Sequence, residues 1–165
     1  MKTYLLSIIV LIFAIGSILA QTNDDFILED ALQKNEIGKK LIYGKWTKDG
    51  GTETTLTYLG IIKTNKKSYK ILNSSWIWGV SKRATNRIIV FNTQNQYIGN
   101  YYVTVKCDLP NRIENDKLIF KRRDCEDCDN VNNQIDFTNG IPEQIFISCK
   151  GKFGDLYSFD KTLTK

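Results

Sequence analysis

Two spacings of apolar residues divide the chain. In 23–37, NDDFILEDALQKNEI, Leu28 and Leu32 lie four apart beside Ala31, which puts them on one face of a helix. Asn23 or Asp24 can cap its start, early acids suit its positive end, and Gly38 stops it. From Leu41 onward the period shortens to two. The pieces LIYGKWTK (41–48), TETTLTYLGII (52–62), KSYKILN (67–73), SWIWGV (75–80), RIIVFN (87–92), QYIGNYYVTVKC (96–107), KLIFKR (117–122), QIFISCK (144–150) and DLYSFDK (155–161) read as strands. They are rich in β-branched and aromatic residues and are separated by turn formers such as Asp49-Gly50-Gly51 and Asn139-Gly140.

Within 52–62, Thr54, Leu56 and Tyr58 alternate with Thr55, Thr57 and Leu59, which predicts a strand with one wet face. SWIWGV and RIIVF are apolar on both faces, so they are expected centrally or under a lid. Gly99, inside a long strand pattern, marks a bulge or a bend. Many short strands with one helix ahead of them predict an all-β fold, an antiparallel barrel or sandwich with a short N-terminal helix.

The start of the chain changes where this fold is expected to work. MKTYLLSIIVLIFAIGSILA has a positive residue, Lys2, an apolar run from Tyr4 and small residues up to Ala20, the layout of a cleaved secretory signal peptide. A retained anchor is the alternative, because Tyr4 to Ala20 carries no charge. With cleavage, 1–20 is removed, 21–165 forms one β-rich domain, and the protein is secreted or periplasmic with no membrane contact. The net charge of +5 favours acidic partners without naming one.

Composition removes whole classes of chemistry. The chain has no histidine, so neither a Ser-His-Asp nor a Cys-His nucleophile system can be assembled, nor a His-based metal site. No nucleophile motif is present, no cofactor is called for, and the expectation is a protein that is not an enzyme.

Cys107, Cys125, Cys128 and Cys149 include a Cys-x-x-Cys inside KRRDCEDCDN. A redox centre needs that motif at a helix start, which lowers the thiol pKa. The residues after Cys128, DNVNNQID, are poor helix formers, and acidic neighbours raise a thiol pKa. Zinc would need reduced thiols, against the oxidising compartment. Two disulfides are expected, with Cys125 and Cys128 pairing outward to Cys107 and Cys149, because closing Cys125 on Cys128 constrains little chain. The acids Asp124, Glu126, Asp127, Asp129 and Asp136, with Asn130, Asn132 and Asn133, lack EF-hand spacing and are read as a polar loop.

The triplet GKW at 44–46, after a helix and on the first of a run of antiparallel strands, resembles the opening of lipocalin-like (calycin) β-barrels. The resemblance implies a barrel with Trp46 closing one end and a small ligand in its mouth. The family's Thr-Asp-x-x-Tyr motif is absent, QYIGNYY at 96–102 being a loose echo.

Two sets of binding residues follow. For a small apolar or amphipathic ligand in a barrel mouth, the lining candidates are Trp46, Trp76, Trp78, Phe91 and Tyr101. For a protein or anionic glycan partner, the candidates are Lys82, Arg83 and Arg87, in the basic loop after SWIWGV. The plainer expectation for that stretch puts Trp76 and Trp78 in the core and the three cations on a solvated hairpin. The lysine runs TNKKSYK and KRR are read as solvated surface, and no nucleic-acid motif is present. Asn73-Ser74-Ser75 is a glycosylation sequon. The leading expectation is a secreted non-catalytic carrier, and the second is an inhibitor- or immunity-like binding module acting through 79–87.

Overall fold

The computed structural model describes residues 25–121, 128 and 132–162. The signal-peptide expectation, and Asp124, Cys125, Glu126, Asp127, Asp129 and Asn130, lie outside the described residues. Helix α1 occupies 25–34. It ends where Asn35 turns into the left-handed region at φ 52°, ahead of the expected stop at Gly38. Ala31 and Leu32 are buried, and Ile27 and Leu28 pack beside them, so the apolar stripe faces the sheet as predicted.

Among the described residues ten strands follow: β1 (Lys40–Gly44), β2 (Glu53–Lys63), β3 (Ser68–Trp78), β4 (Arg83–Asn92), β5 (Tyr97–Val103), β6 (Arg112–Glu114), β7 (Lys117–Lys121), β8 (Asn132–Asp136), β9 (Gln144–Lys150) and β10 (Phe153–Asp160). They form a seven-stranded antiparallel sheet in the order β1-β2-β3-β4-β5-β10-β9 and a three-stranded one, β6-β7-β8. The pieces read as two strands at 67–73 and 75–80 are one, β3, which carries the ladder through Ser74. Two strands were not foreseen. β6 is only three residues long, and β8 replaces part of the expected polar loop. In β8, Ile135 packs against the core while Asn132, Gln134 and Asp136 stay exposed, so the strand shows only one apolar side chain to its interior.

The large sheet buries both faces, and β4 shows how. Ile88 and Val90 join Tyr101, Leu118, Phe120, Phe137, Ile145 and Ile147 in the core between the two sheets. Ile89 and Phe91, one residue out of phase, join Leu56, Tyr58, Leu72 and the helix stripe on the other face. The central placement expected for RIIVF is therefore what β4 has.

Gly44 and Gly99 are among the glycines that hold close approaches. At Gly44 (φ 73°) a Cβ would overlap the Thr52 carbonyl oxygen where the chain folds back into β2. At Gly99 a Cβ would run into the Phe159 ring and the Asp160 carbonyl oxygen, beside a register shift between Val90 and Phe91. The bulge read from Gly99 is present.

Among the described residues no ladder joins the two sheets. Side chains and loops do so instead. Asn133 Nδ2 donates to the Ser148 carbonyl at 3.0 Å while the Ser148 N–H donates to Asn133 Oδ1, also at 3.0 Å. At the other flank the Lys63 N–H donates to Asp116 Oδ1 at 2.8 Å. Cys128 is disulfide-bonded to Cys149 on β9, with Cα atoms 4.6 Å apart, the outward pairing expected for it. Cys107 is disulfide-bonded as well, and none of the described cysteines is free. Among the described residues no helix is long and apolar enough to cross a membrane.

Candidate functional site

Helix α1 covers only part of the outer face of the large sheet. Leu56, Tyr58, Leu72, Ile89 and Phe91 lie beneath it. On β3 the same alternation sends Trp76 and Trp78 to that outer face, beyond the helix, since Leu72 shares their parity. SWIWGV is thus central in the sheet, on β3 between β2 and β4, but without a lid on its outer side: Trp76 is 38% exposed and Val80 76% exposed. The expectation that both tryptophans sit in the core is corrected here. The covering helix is too short to reach them, and no second α-helix exists among the described residues.

The two tryptophans stack on each other with ring centroids 5.6 Å apart and planes 24° apart. Arg83, opposite Trp78 in the β3–β4 register, lays its guanidinium over the Trp78 ring at 5.5 Å. Trp78 Nε1 donates to Thr85 Oγ1 at 3.2 Å, which fixes the ring edge. The result is an ordered stack, Arg83–Trp78–Trp76. Beside it, Trp46 Nε1 donates to the Gly79 carbonyl at 2.8 Å, and the Lys82 ammonium lies 5.1 Å from the centroid of the Trp46 ring. Lys82 itself holds φ 54° in the turn, with its N–H donating to the Gly79 carbonyl.

Residues placed in two separate sets by sequence therefore meet in one place. Trp46, Trp76, Trp78, Lys82 and Arg83 form a single aromatic and cationic cluster at the β3–β4 hairpin. Arg87 lies on the same face but is half-buried, and its charge helps hold the Asp160 carboxyl below its ordinary pKa, after hydrogen bonds from Thr162, which are the larger cause. Phe91 and Tyr101 are elsewhere. Phe91 meets Tyr97 edge-on at 6.0 Å under the helix and borders an open cleft of about 370 Å³ with Leu28, Leu32, Asp25 and Glu29. Tyr101 is fully buried between the sheets, donates to the Pro142 carbonyl at 2.6 Å, and burial raises its pKa. The five expected lining residues do not share a cavity.

The outer face carries more than the sequence singled out. Tyr102 is 53% exposed on β5, and Phe146 and Leu156 are exposed on β9 and β10, where they are paired in register. Their neighbours Tyr101, Ile145, Ile147 and Tyr157 point inward, so these three share the outer face with the tryptophans. The signal was present: 144–150 and 155–161 are apolar on both faces although one of them ends at a sheet edge.

Asp136, the one described member of the acidic group, accepts the Thr138 N–H at 2.7 Å and lies 3.5 Å from Lys117 Nζ. Hydrogen bonds from Thr138, then Lys117, hold its pKa below the ordinary range. Among the described residues no group of metal-ligating side chains converges. The sequon asparagine, Asn73, is buried and donates through Nδ2 to the Pro110 carbonyl at 2.7 Å, so a glycan has no room on it in this fold. No family model, no curated protein and no solved structure matches the chain, and the likeness to lipocalin-like barrels rests on the residues quoted for it.

Proposed function

We propose that the protein is an exported, non-catalytic binding module that docks an acidic protein surface on the uncovered outer face of its large sheet. The observation that carries this is the exposed Arg83–Trp78–Trp76 stack, held by ring stacking and by the Thr85 hydrogen bond. Large rigid rings beside guanidinium groups supply most of the binding energy in protein interfaces, and isolated exposed tryptophans contribute little to the stability of a monomer. Lys82 and Arg83 favour carboxylates on the partner, while Tyr102, Leu156 and Phe146 extend the apolar area. Export is supported by the Cys128–Cys149 disulfide and by the apolar start of the chain.

The same observations favour this surface over an apolar ligand held inside. The space between the sheets is filled by Tyr101, Phe120, Phe137, Leu118 and Ile147, each fully buried. The architecture is read as an incomplete barrel in which the Asn133–Ser148 and Lys63–Asp116 bonds stand in for ladders between the sheets.

The test is capture from the producing organism's medium or envelope, comparing the wild type with Lys82→Glu/Arg83→Glu and with Trp76→Ala. These positions, unlike Arg87, can be changed without disturbing a buried group. The expected outcome is an acidic partner lost from both variants, with melting temperatures close to wild type. A partner that both variants hold equally well would refute the reading.

A further inference from the structure

A second region of the molecule has a different chemistry. The inner face of the large sheet is apolar only where the small sheet covers it. Towards the β1 end it becomes polar: Thr55, Thr57, Asn73 and Ser75 line it, with Leu59 at the boundary. Together with the 106–111 segment this face bounds a cleft of about 470 Å³. Three lysines border the cleft, Lys40 from β1, Lys106 from the turn after β5, and Lys121 from the end of β7. Among the described residues no acidic side chain lines it. None of the three lysines is in an ion pair with a described residue, whereas Lys34, Lys39, Arg112 and Lys117 all are.

The walls are fixed. Asn73 Nδ2 ties β3 to the Pro110 carbonyl. Ser75 Oγ donates to Asn86 Oδ1 at 2.9 Å. The Tyr157 hydroxyl donates to the buried Asp108 carboxylate, which holds the turn carrying Lys106 against β10. One group in the wall is left over: Asn73 Oδ1 is buried and has no hydrogen-bond partner, a costly state that a donor from a ligand would relieve.

We propose that this cleft binds a compact organic anion carrying at least two negative charges and several hydroxyl groups, in the size range of a sugar phosphate. Three ammonium groups with no ion-pair partner among the described residues, set around a concave wall, focus positive potential and attract a multiply charged anion. Lysine acts there as a point charge on phosphate or carboxylate oxygens. The hydroxyl and amide floor recognises the polyol part, with Leu59, Leu109 and Pro110 at its sides. The site is separate from the outer docking face, on the opposite side of the same sheet, and stands or falls independently of it.

The experiment is isothermal titration of the full chain with glucose 6-phosphate, citrate, inorganic phosphate and glucose. The expected result is saturable binding of glucose 6-phosphate with a Kd below about 1 mM, weaker binding of inorganic phosphate, and none of glucose. Lys40→Gln/Lys106→Gln/Lys121→Gln should weaken the sugar phosphate at least about tenfold while the melting temperature holds, because the lysines make no ion pairs with described residues. Lys82→Glu/Arg83→Glu should leave this binding unchanged. Absence of binding by both glucose 6-phosphate and citrate overturns the proposal, as does binding that survives the triple substitution. Equal affinity for inorganic phosphate and glucose 6-phosphate overturns the polyol part of it.

Discussion

Arg83 and Trp78 face each other across the hairpin, and each holds the other in place on the surface. Trp78→Ala removes both the ring that Arg83 covers and the ring that Trp76 stacks upon. It should weaken partner capture as much as Trp76→Ala does, although Trp78 is the less exposed of the two. An exposed cation–ring contact is worth about 0.5–1 kcal/mol, so the stability loss should be small, and a thermal melt checks it. Single residues also set the response to pH. The chain has no histidine, so stability should be level from about pH 5 to about pH 9. Asp30 is held below its ordinary pKa first by Lys34 and then by Tyr43, and Asp136 and Asp160 are lowered by Thr138 and Thr162. Lowered pKa values contribute stability that is present above the unfolded value and lost as pH falls through the folded one, so unfolding should begin below about pH 4. At the alkaline end Tyr43 is pushed up to about 12, by burial first and then by Asp30. That contribution is complete below the unfolded pKa of about 10 and should be lost between there and about 12. A denaturant series across pH checks both edges.

At the scale of elements, what could be read from sequence was what repeats. The helix stripe of Ala31 and Leu32 and the long alternating strands were legible, because periodicity depends only on neighbours along the chain. Leu32→Ala should cost about 2–5 kcal/mol, measurable in urea, since Leu32 lies in the seam with Leu72 and Phe91. β8 was not legible, although it pairs with the strand just before it, because its own residues are mostly polar and only Ile135 packs against the core. The destination of SWIWGV was illegible for another reason. Its pattern says that both faces carry apolar groups, but only the length of helix α1 decides that Trp76 stays uncovered. The cluster at the hairpin was half visible: each member could be named, yet bringing Trp46 to Gly79 needs the whole of β2 and β3 between them. The lysine-bordered cleft left no sequence signal, since Lys40, Lys106 and Lys121 come from three separated segments.

At the scale of the whole molecule, the two sheets share an apolar core but are tied by few hydrogen-bonded or covalent links among the described residues. The Cys128–Cys149 bridge closes a separation of 21 residues, which is worth about 3 kcal/mol in the chain-entropy model. Cys128→Ala/Cys149→Ala should therefore lower the melting temperature by roughly 10 °C, and a calorimetric scan measures it. The loss should show first where the small sheet meets β9. Hydrogen exchange should find the amides of β7 and β8 deprotected ahead of those of β3 and β4, which are paired on both sides.

Asn133 has a consequence beyond cohesion. A side-chain amide offers a donor and an acceptor with the spacing of a peptide group, and Asn133 presents both to Ser148. β9 is the last strand of its sheet, so its outward N–H and C=O groups are a template on which another chain could add itself. With Asn133 occupying the middle of that template, β9 is closed to passing strands. This is protection against fibril growth. It predicts that Asn133→Val, which keeps the β-propensity and removes the amide, should seed thioflavin-positive aggregates from a chain that otherwise stays dispersed.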